Sequence, residues 1–183
     1  MVDFVGFPKV PRLSRDIVVT EKLDGTNSQI YIPESISYTA VGVLVGSRNR
    51  WITPEDDNYG FCKWVYKNLD ELVKLGPGHH FGEWWGQGIQ RGYGLKEKRF
   101  SLFNTSRWRD NPDLPSCCHV VPVLYEGPFD TNAIDTELHM LTHTGSKAEI
   151  GYMNPEGIMI FHTAANRYFK KTILNDDKHK GEL

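Results

Sequence analysis

A chain of 183 residues suits one domain with a sizeable core and is too short for two full ones. Its 21 lysines and arginines against 23 acidic residues leave a net charge of −2, which argues against a sequence-blind nucleic-acid coat. No apolar run is long enough to span a bilayer and no charged-then-apolar leader opens the chain, so a soluble, cytoplasmic protein is expected. Cys62, Cys117 and Cys118 give no disulfide framework, because neighbouring Cys117 and Cys118 cannot easily share a bridge, and this fits a reducing compartment.

Ile17 and Val19 alternate into Glu21-Lys22-Leu23-Asp24-Gly25-Thr26-Asn27, and Ile30 and Ile32 lead out of it. The pattern predicts a strand, a turn at Asp24-Gly25 and a second strand over Gln29 to Ile32. A third strand is expected at Val41 to Val45. Phe61, Trp64, Val65, Leu69, Leu72 and Val73 follow the three-and-four spacing of a helix that Gly76 would stop. Gly76-Pro77-Gly78 and Asn111-Pro112-Asp113-Leu114-Pro115-Ser116 read as loops, and Gly86 to Gly92 as a flexible one. One of Trp84 and Trp85 should face a core and the other a cleft or opposite layer, since neighbours on a strand alternate. A strand is expected from Val120 to Tyr125. A helix with Ile134, Leu138 and Leu141 on one face follows, capped by Thr131 or Asn132 and ended by Gly145. Ile158 to Phe161 is the last apolar strand. There is no internal repeat, and helices among antiparallel hairpins predict an α+β domain.

Lys22 is the candidate for the chemistry. It stands at a strand end between two carboxylates, away from any solvated helix face. A lysine at its ordinary pKa of about 10.4 is neutral in roughly one molecule per thousand near neutral pH. Making one a nucleophile means bringing that pKa close to neutrality, worth about 4 kcal/mol. Flanking carboxylates push the other way, because they stabilise the ammonium form. A divalent cation reverses that sign. The motif therefore makes sense as a lysine nucleophile only if a metal and a nucleotide phosphate arrive together.

The pattern Lys-x-Asp-Gly-x-Asn at Lys22 to Asn27 resembles motif I of the covalent nucleotidyltransferases, the superfamily of polynucleotide ligases and mRNA capping enzymes. Further segments resemble the superfamily's other motifs in the same order. Ser47-Arg48-Asn49-Arg50 is similar to the Ser-Arg element that contacts phosphate or ribose. Phe81-Gly82-Glu83-Trp84-Trp85-Gly86 resembles motif III, Arg99-Phe100-Ser101-Leu102-Phe103-Asn104 the purine-stacking motif, Pro155-Glu156-Gly157-Ile158-Met159-Ile160 motif IV, and Arg167-Tyr168-Phe169-Lys170-Lys171-Thr172 motif V. Together they cover roughly Pro8 to Lys180. Asn27, where DNA ligases usually carry Arg, and the opening Phe7-Pro8-Lys9-Val10-Pro11-Arg12 favour a resemblance to small phage-type RNA ligases.

The resemblance implies an ATP-grasp-like nucleotidyltransferase domain spanning residues 1–183, two antiparallel sheets flanking a nucleotide cleft with peripheral helices. Neither the OB-fold that follows in DNA ligases and capping enzymes nor an extension that reads NAD is expected, so ATP is the expected donor. Lys22 would attack the α-phosphate to give lysyl-AMP, with Lys170, aided by Lys171, offsetting charge on the phosphate oxygens. Glu156 would organise Mg²⁺ or Mn²⁺, Glu83 would hold the ribose, and Phe103 would stack on adenine. Glu21, through backbone and position, would help read the purine edge, and Asp24 would orient the motif I loop. Asn27 and Arg48 are the candidates for handling the RNA strand. Two departures stand out. Motif V is often Lys-x-Lys, whereas Lys170 and Lys171 are adjacent and should point to opposite faces, and Asn104 replaces a frequent carboxylate.

Arg91, Lys96, Lys98, Arg99, Arg107 and Arg109, with Lys178 and Lys180, could form a local basic face or be ordinary solvated charges. His139 and His143 share helical spacing without the intervening glutamate of a zinc protease, Cys117-Cys118-His119 lacks a second ligand pair, and His79-His80 reads as a turn or a cleft flank. The expected partner is RNA, with nicked duplex, RNA–DNA hybrid and a helper protein left open. The competing readings are a GTP-dependent capping-type transferase and a non-sealing nucleotide- or RNA-binding module.

Overall fold

The computed structural model describes residues 2–34 and 42–177, so Val41 of the expected third strand and the basic Lys178 and Lys180 lie outside the described residues. Among the described residues ten strands form two sheets. The smaller contains β10 (Arg167–Thr172), β9 (Gly157–His162), β1 (Asp16–Lys22) and β8 (Val123–Pro128), in that order and all antiparallel. The larger runs β4 (Trp51–Ile52), β3 (Leu44–Ser47), β2 (Thr26–Ile32), β5 (Gly78–Gly86), β6 (Lys98–Leu102) and β7 (Cys118–Val120). Its last pair, β6 with β7, is parallel, which corrects the expectation of two wholly antiparallel sheets. A connection through a short helical turn and a loop brings the chain back in the same direction.

The expected turn at Asp24-Gly25 does not close a hairpin. β1 pairs with β8 and β9, and β2 pairs with β3 and β5, so Leu23 to Gly25 carries the chain from one sheet to the other. The run Val120 to Tyr125 makes the opposite crossing. It is two strands, because Pro122 has no N–H for a ladder and breaks it between β7 and β8. The Pro122 carbonyl instead accepts from the Glu21 N–H at 2.9 Å, tying the two crossings together.

Three apolar clusters explain why the sheets sit as they do. Ile30, Ile32, Val45, Trp84, Phe100 and Leu102 pack one face of the large sheet against Phe61, Val65, Leu72 and Leu75. The expected long helix over those last four is broken into α1 (Phe61–Lys67), α2 (Leu69–Leu72) and a 3-10 turn (Val73–Leu75). Asn68 interrupts it, and its side chain donates to the Trp64 carbonyl at 2.8 Å. Ile17, Val19, Ile158 and Ile160 pack one face of the small sheet against Ile134 and Leu141 of α4 (Thr131–Thr144). Gly145 ends α4 as expected, but Asp130 rather than Thr131 or Asn132 caps it, accepting from the Asn132 N–H at 2.8 Å. Leu23, Trp85, Tyr93 and Val121 form a third, smaller cluster joining the crossing segments to the opposite face of the large sheet. Trp84 and Trp85 thus face opposite ways, and both are buried. A four-residue helix, α3 (Thr105–Trp108), was not evident in the sequence, and Asn104 is its cap.

Candidate active site

Lys22 ends β1 opposite Gly157 at the start of β9, which brings its ammonium against the carboxylate of Glu156. The Lys22 side chain is only 20% exposed, and this pair lies at the rim of the joint between the sheets. Gly157 has to be glycine for the approach. A Cβ there would stand 2.3 Å from the Lys171 carbonyl and 2.7 Å from Thr172 Cα, forcing β10 away.

The crossing loop is held from both sides. The Asp24 N–H donates to the Tyr93 hydroxyl at 3.0 Å, and Asp24 Oδ2 accepts from Arg91 Nε at 2.9 Å. The other end of the Arg91 guanidinium donates to the carbonyls of Asn154 at 2.9 Å and Pro155 at 3.0 Å, directly before Glu156. Gly25 lies so close to β5 that a Cβ would meet the Trp84 carbonyl at 2.4 Å, and its N–H reaches Glu83 Oε1 at 3.1 Å. Asn27 donates to Glu83 Oε2, also at 3.1 Å. Glu83 is 7% exposed. Burial pushes its carboxyl up to about 7, the Glu156 charge adds to the rise, and Lys22, the Gly25 N–H and Asn27 oppose it. Glu83 is thus a carboxyl whose two oxygens are aimed at motif I and whose charge is costly until a cation or further donors arrive.

Glu21 points the other way. Its carboxylate, 1% exposed, accepts from Ser146 Oγ at 2.6 Å and from the N–H groups of Lys147 at 2.7 Å and Ala148 at 3.0 Å. Burial raises its pKa and those three bonds oppose the rise. Its side chain fixes the loop after α4, so any part in holding a nucleotide runs through the backbone and the placement of Lys22.

The register of β10 separates the two lysines of motif V. Lys170 faces Met159 and through it Thr20, and so shares the face of Lys22. Lys171 faces Ile158, on the α4 side, where it is ion-paired with Asp135. The adjacent lysines do point oppositely, with no bulge between them. Phe103, half-buried, packs on the third cluster, and its N–H donates to the Phe81 carbonyl at 3.0 Å. Arg48 is exposed and lines a small pocket of about 60 Å³ with Asn27, Gln29 and Phe81.

The RNA ligase family model matches residues 15–173. The chain belongs to the RNA ligase family. Three solved structures similar to it are mutants of a Naegleria gruberi RNA ligase. One with ATP and Mn superposes at a TM-score of 0.66, with 20% identity over 92% of this chain and 53% of that one. Another with AMP and Mn gives 0.62, also at 20% identity and the same coverage, and an apo form gives 0.64, at 20% over 92% and 52%. The chain spans about half the length of these structures. No curated protein matches it.

Of the residues singled out in this RNA ligase family chain, the fold gathers Lys22, Asp24, Asn27, Glu83 and Glu156 around one crossing loop and sets Lys170 on Lys22's face. It does not bring the side chains of Glu21 and Lys171 there. Arg91 and Tyr93 were missed as members of the site. Arg91 was counted among the basic residues, and its place in the glycine-rich segment after motif III was the available signal. The proposed basic face is largely spoken for. Arg99 pairs with Glu97 and Glu149, Arg109 with Glu126, Lys98 bonds the Tyr59 carbonyl and Arg107 the Leu75 carbonyl. Asn104 uses its side-chain oxygen on the Arg107 N–H, which gives the amide a structural task. His139 and His143 lie side by side on an exposed helix face with their rings tilted at 39°, and among the described residues no group of three or more ligand-type side chains forms a metal cage. Nor, among them, is any helix long and apolar enough to cross a membrane.

Proposed function

We propose that the protein is an ATP-dependent RNA ligase that works through an adenylated Lys22. The observation that carries the reading is the placement of Lys22. A lysine paired with one buried-edge carboxylate, Glu156, and near a second, Glu83, shares a sheet face with Lys170 beside the crossing loop. The amine of Lys22, once it has lost its proton, attacks the α-phosphorus of ATP. The new N–P bond forms as the bond to pyrophosphate breaks. Lys170 stands on the side where charge builds on the non-bridging oxygens, where a positioned cation contributes most. A 5′-phosphate end of RNA then takes the AMP from Lys22, and a 3′-hydroxyl displaces AMP as the strand closes.

The donor set fits Mg²⁺ or Mn²⁺, since the charged side chains nearest Lys22 are hard oxygen donors and one or two carboxylates plus substrate phosphates suffice for such ions. Glu156 would hold the ion, with Glu83 behind it, and the bound charge would favour the neutral amine and screen phosphate. In this reading Glu83 holds the ribose, Phe103 stacks on the purine, and Asn27 and Arg48 handle the strand. The ATP- and AMP-bound relatives of the same fold support this assignment of the donor.

Incubation with α-labelled ATP or GTP and Mg²⁺, with Lys22→Ala in parallel, tests it. An ATP-specific adduct that disappears in Lys22→Ala is the expected result. A GTP-specific adduct moves the protein to a capping-type reaction, and no adduct with either nucleotide in folded protein removes the catalytic claim.

A further inference from the structure

The face of the large sheet that carries Glu83 and Asn27 continues past them. Directly paired residues share a face, so Gln29 with Phe81 and then Tyr31 with His79 extend it away from Lys22. Gly46 of β3, opposite Gln29, and Trp51 of β4, opposite Gly46, widen the same face. These residues belong to no apolar core. Trp51 is 47% exposed and Phe81 is 51% exposed. The His79 ring is close to parallel with Phe81, at 5.9 Å between centroids and 9° between planes, and with Trp51, at 6.3 Å and 25°. Tyr31 lies 4.7 Å from the same imidazole. Gln29 Oε1 sits 3.1 Å from His79 Nδ1 and steadies the ring. Gly46 keeps the floor flat, since a Cβ there would meet Gln29 Cγ at 2.8 Å.

Charge and continuity decide the occupant. Arg48 and Arg50 border an open pocket of about 290 Å³ over Gln29 and Trp51. Arg50 is tied to exposed Asp56, and Arg48 also lines the smaller pocket shared by Asn27 and Phe81. A row of aromatic faces with an arginine edge, running without a break from a nucleotidyl-transfer site, matches bases on the rings and phosphates on the rim. A protein-docking patch of this size would instead carry a charge-depleted apolar centre. A base paired in a duplex has no free face to offer, so the surface suits unpaired nucleotides. Resting on the RNA ligase reading, we propose that Phe81, His79 and Trp51 form a stacking platform for unpaired bases of the RNA strand whose end is delivered to Lys22.

The test uses a 5′-phosphorylated single-stranded oligoribonucleotide of about a dozen nucleotides carrying 2-aminopurine, whose fluorescence falls when the base stacks. Binding is measured to the wild-type chain, Trp51→Ala and Trp51→Phe, with a blunt duplex of the same length alongside. The expected result is quenched probe on wild type, affinity about tenfold weaker in Trp51→Ala, and near wild-type affinity in Trp51→Phe, because one lost stacking partner has about that effect. Equal affinity in wild type and Trp51→Ala overturns the platform, and so does equal loss in the Ala and Phe variants. Duplex bound as tightly, with the same dependence on Trp51, overturns the assignment to unpaired bases. α-Labelled ATP on the same wild-type preparation reports the catalytic reading separately. An adduct with no Trp51 effect ends only the platform, and Trp51-dependent binding without an adduct ends only the ligase chemistry.

Discussion

Glu83 shows how one side chain can be unfavourable to the empty fold and useful to the site. Its burial, with Glu156 near, holds the carboxyl up to about 7 against an ordinary 4.5. Between those values the folded chain keeps a proton that the unfolded chain has released, so the fold loses stability as pH rises through that window. The full shift corresponds to about 3 kcal/mol. Ligand-free protein is therefore expected to lose stability between about pH 5 and pH 8, and Glu83→Gln, which keeps the shape without the charge, should flatten that loss. Denaturant melts of both proteins at the two pH values measure it. An identical pH dependence in Glu83→Gln would show that another group is responsible. The sequence pointed to Glu83 through the resemblance of Phe81 to Gly86 to motif III. It could not reveal that both oxygens turn to Gly25 and Asn27, since those bonds depend on how β2 and β5 align.

Strand β10 turns a sequence ambiguity into a geometric choice. Two adjacent lysines cannot both face one side of a regular strand, and the register gives Lys170 to Lys22's side and Lys171 to α4. Lys170→Ala is expected to slow self-adenylation by about a hundredfold or more, the usual effect of removing one preorganised group from a developing charge. Lys171→Ala, which removes a half-exposed ion pair with Asp135, should stay within a few-fold of wild type. Single-turnover rates with labelled ATP decide it, and a larger loss in Lys171→Ala would mean that β10 shifts register when nucleotide binds. Strands β1 and β2 were legible because branched apolar residues carry their alternation, and β9 was legible as a short apolar run. The helix over 61–75 was legible as a buried face but not as three pieces, since apolar spacing persists through Asn68 while the backbone does not. The parallel β6–β7 pair and the two sheet crossings left no local signature, because pairing partners are chosen by long-range packing.

At the scale of the whole molecule, the Lys22–Glu156 pair depends on two segments that come from distant parts of the chain. The Leu23 to Gly25 crossing positions Lys22, and the segment through Asn154 and Pro155 positions Glu156. Arg91 joins them, with Nε on Asp24 and its other end on the Asn154 and Pro155 carbonyls. A guanidinium can hold this arrangement because its donors are fixed in one plane and point in several directions, whereas an ammonium acts from a single point. Arg91 contacts neither Lys22 nor Glu156 in these bonds, so its effect is on their relative placement. Arg91→Ala should lower the self-adenylation rate by about tenfold or more, with a modest drop in melting temperature. Arg91→Lys should fail to restore the rate even where it restores the melt. Measuring the rate at saturating ATP separates placement from nucleotide affinity. A melt lowered in both variants with the saturated rate unchanged would make Arg91 a purely structural tie. A saturated rate lowered in both would show that the joint between the sheets sets the geometry of nucleotidyl transfer.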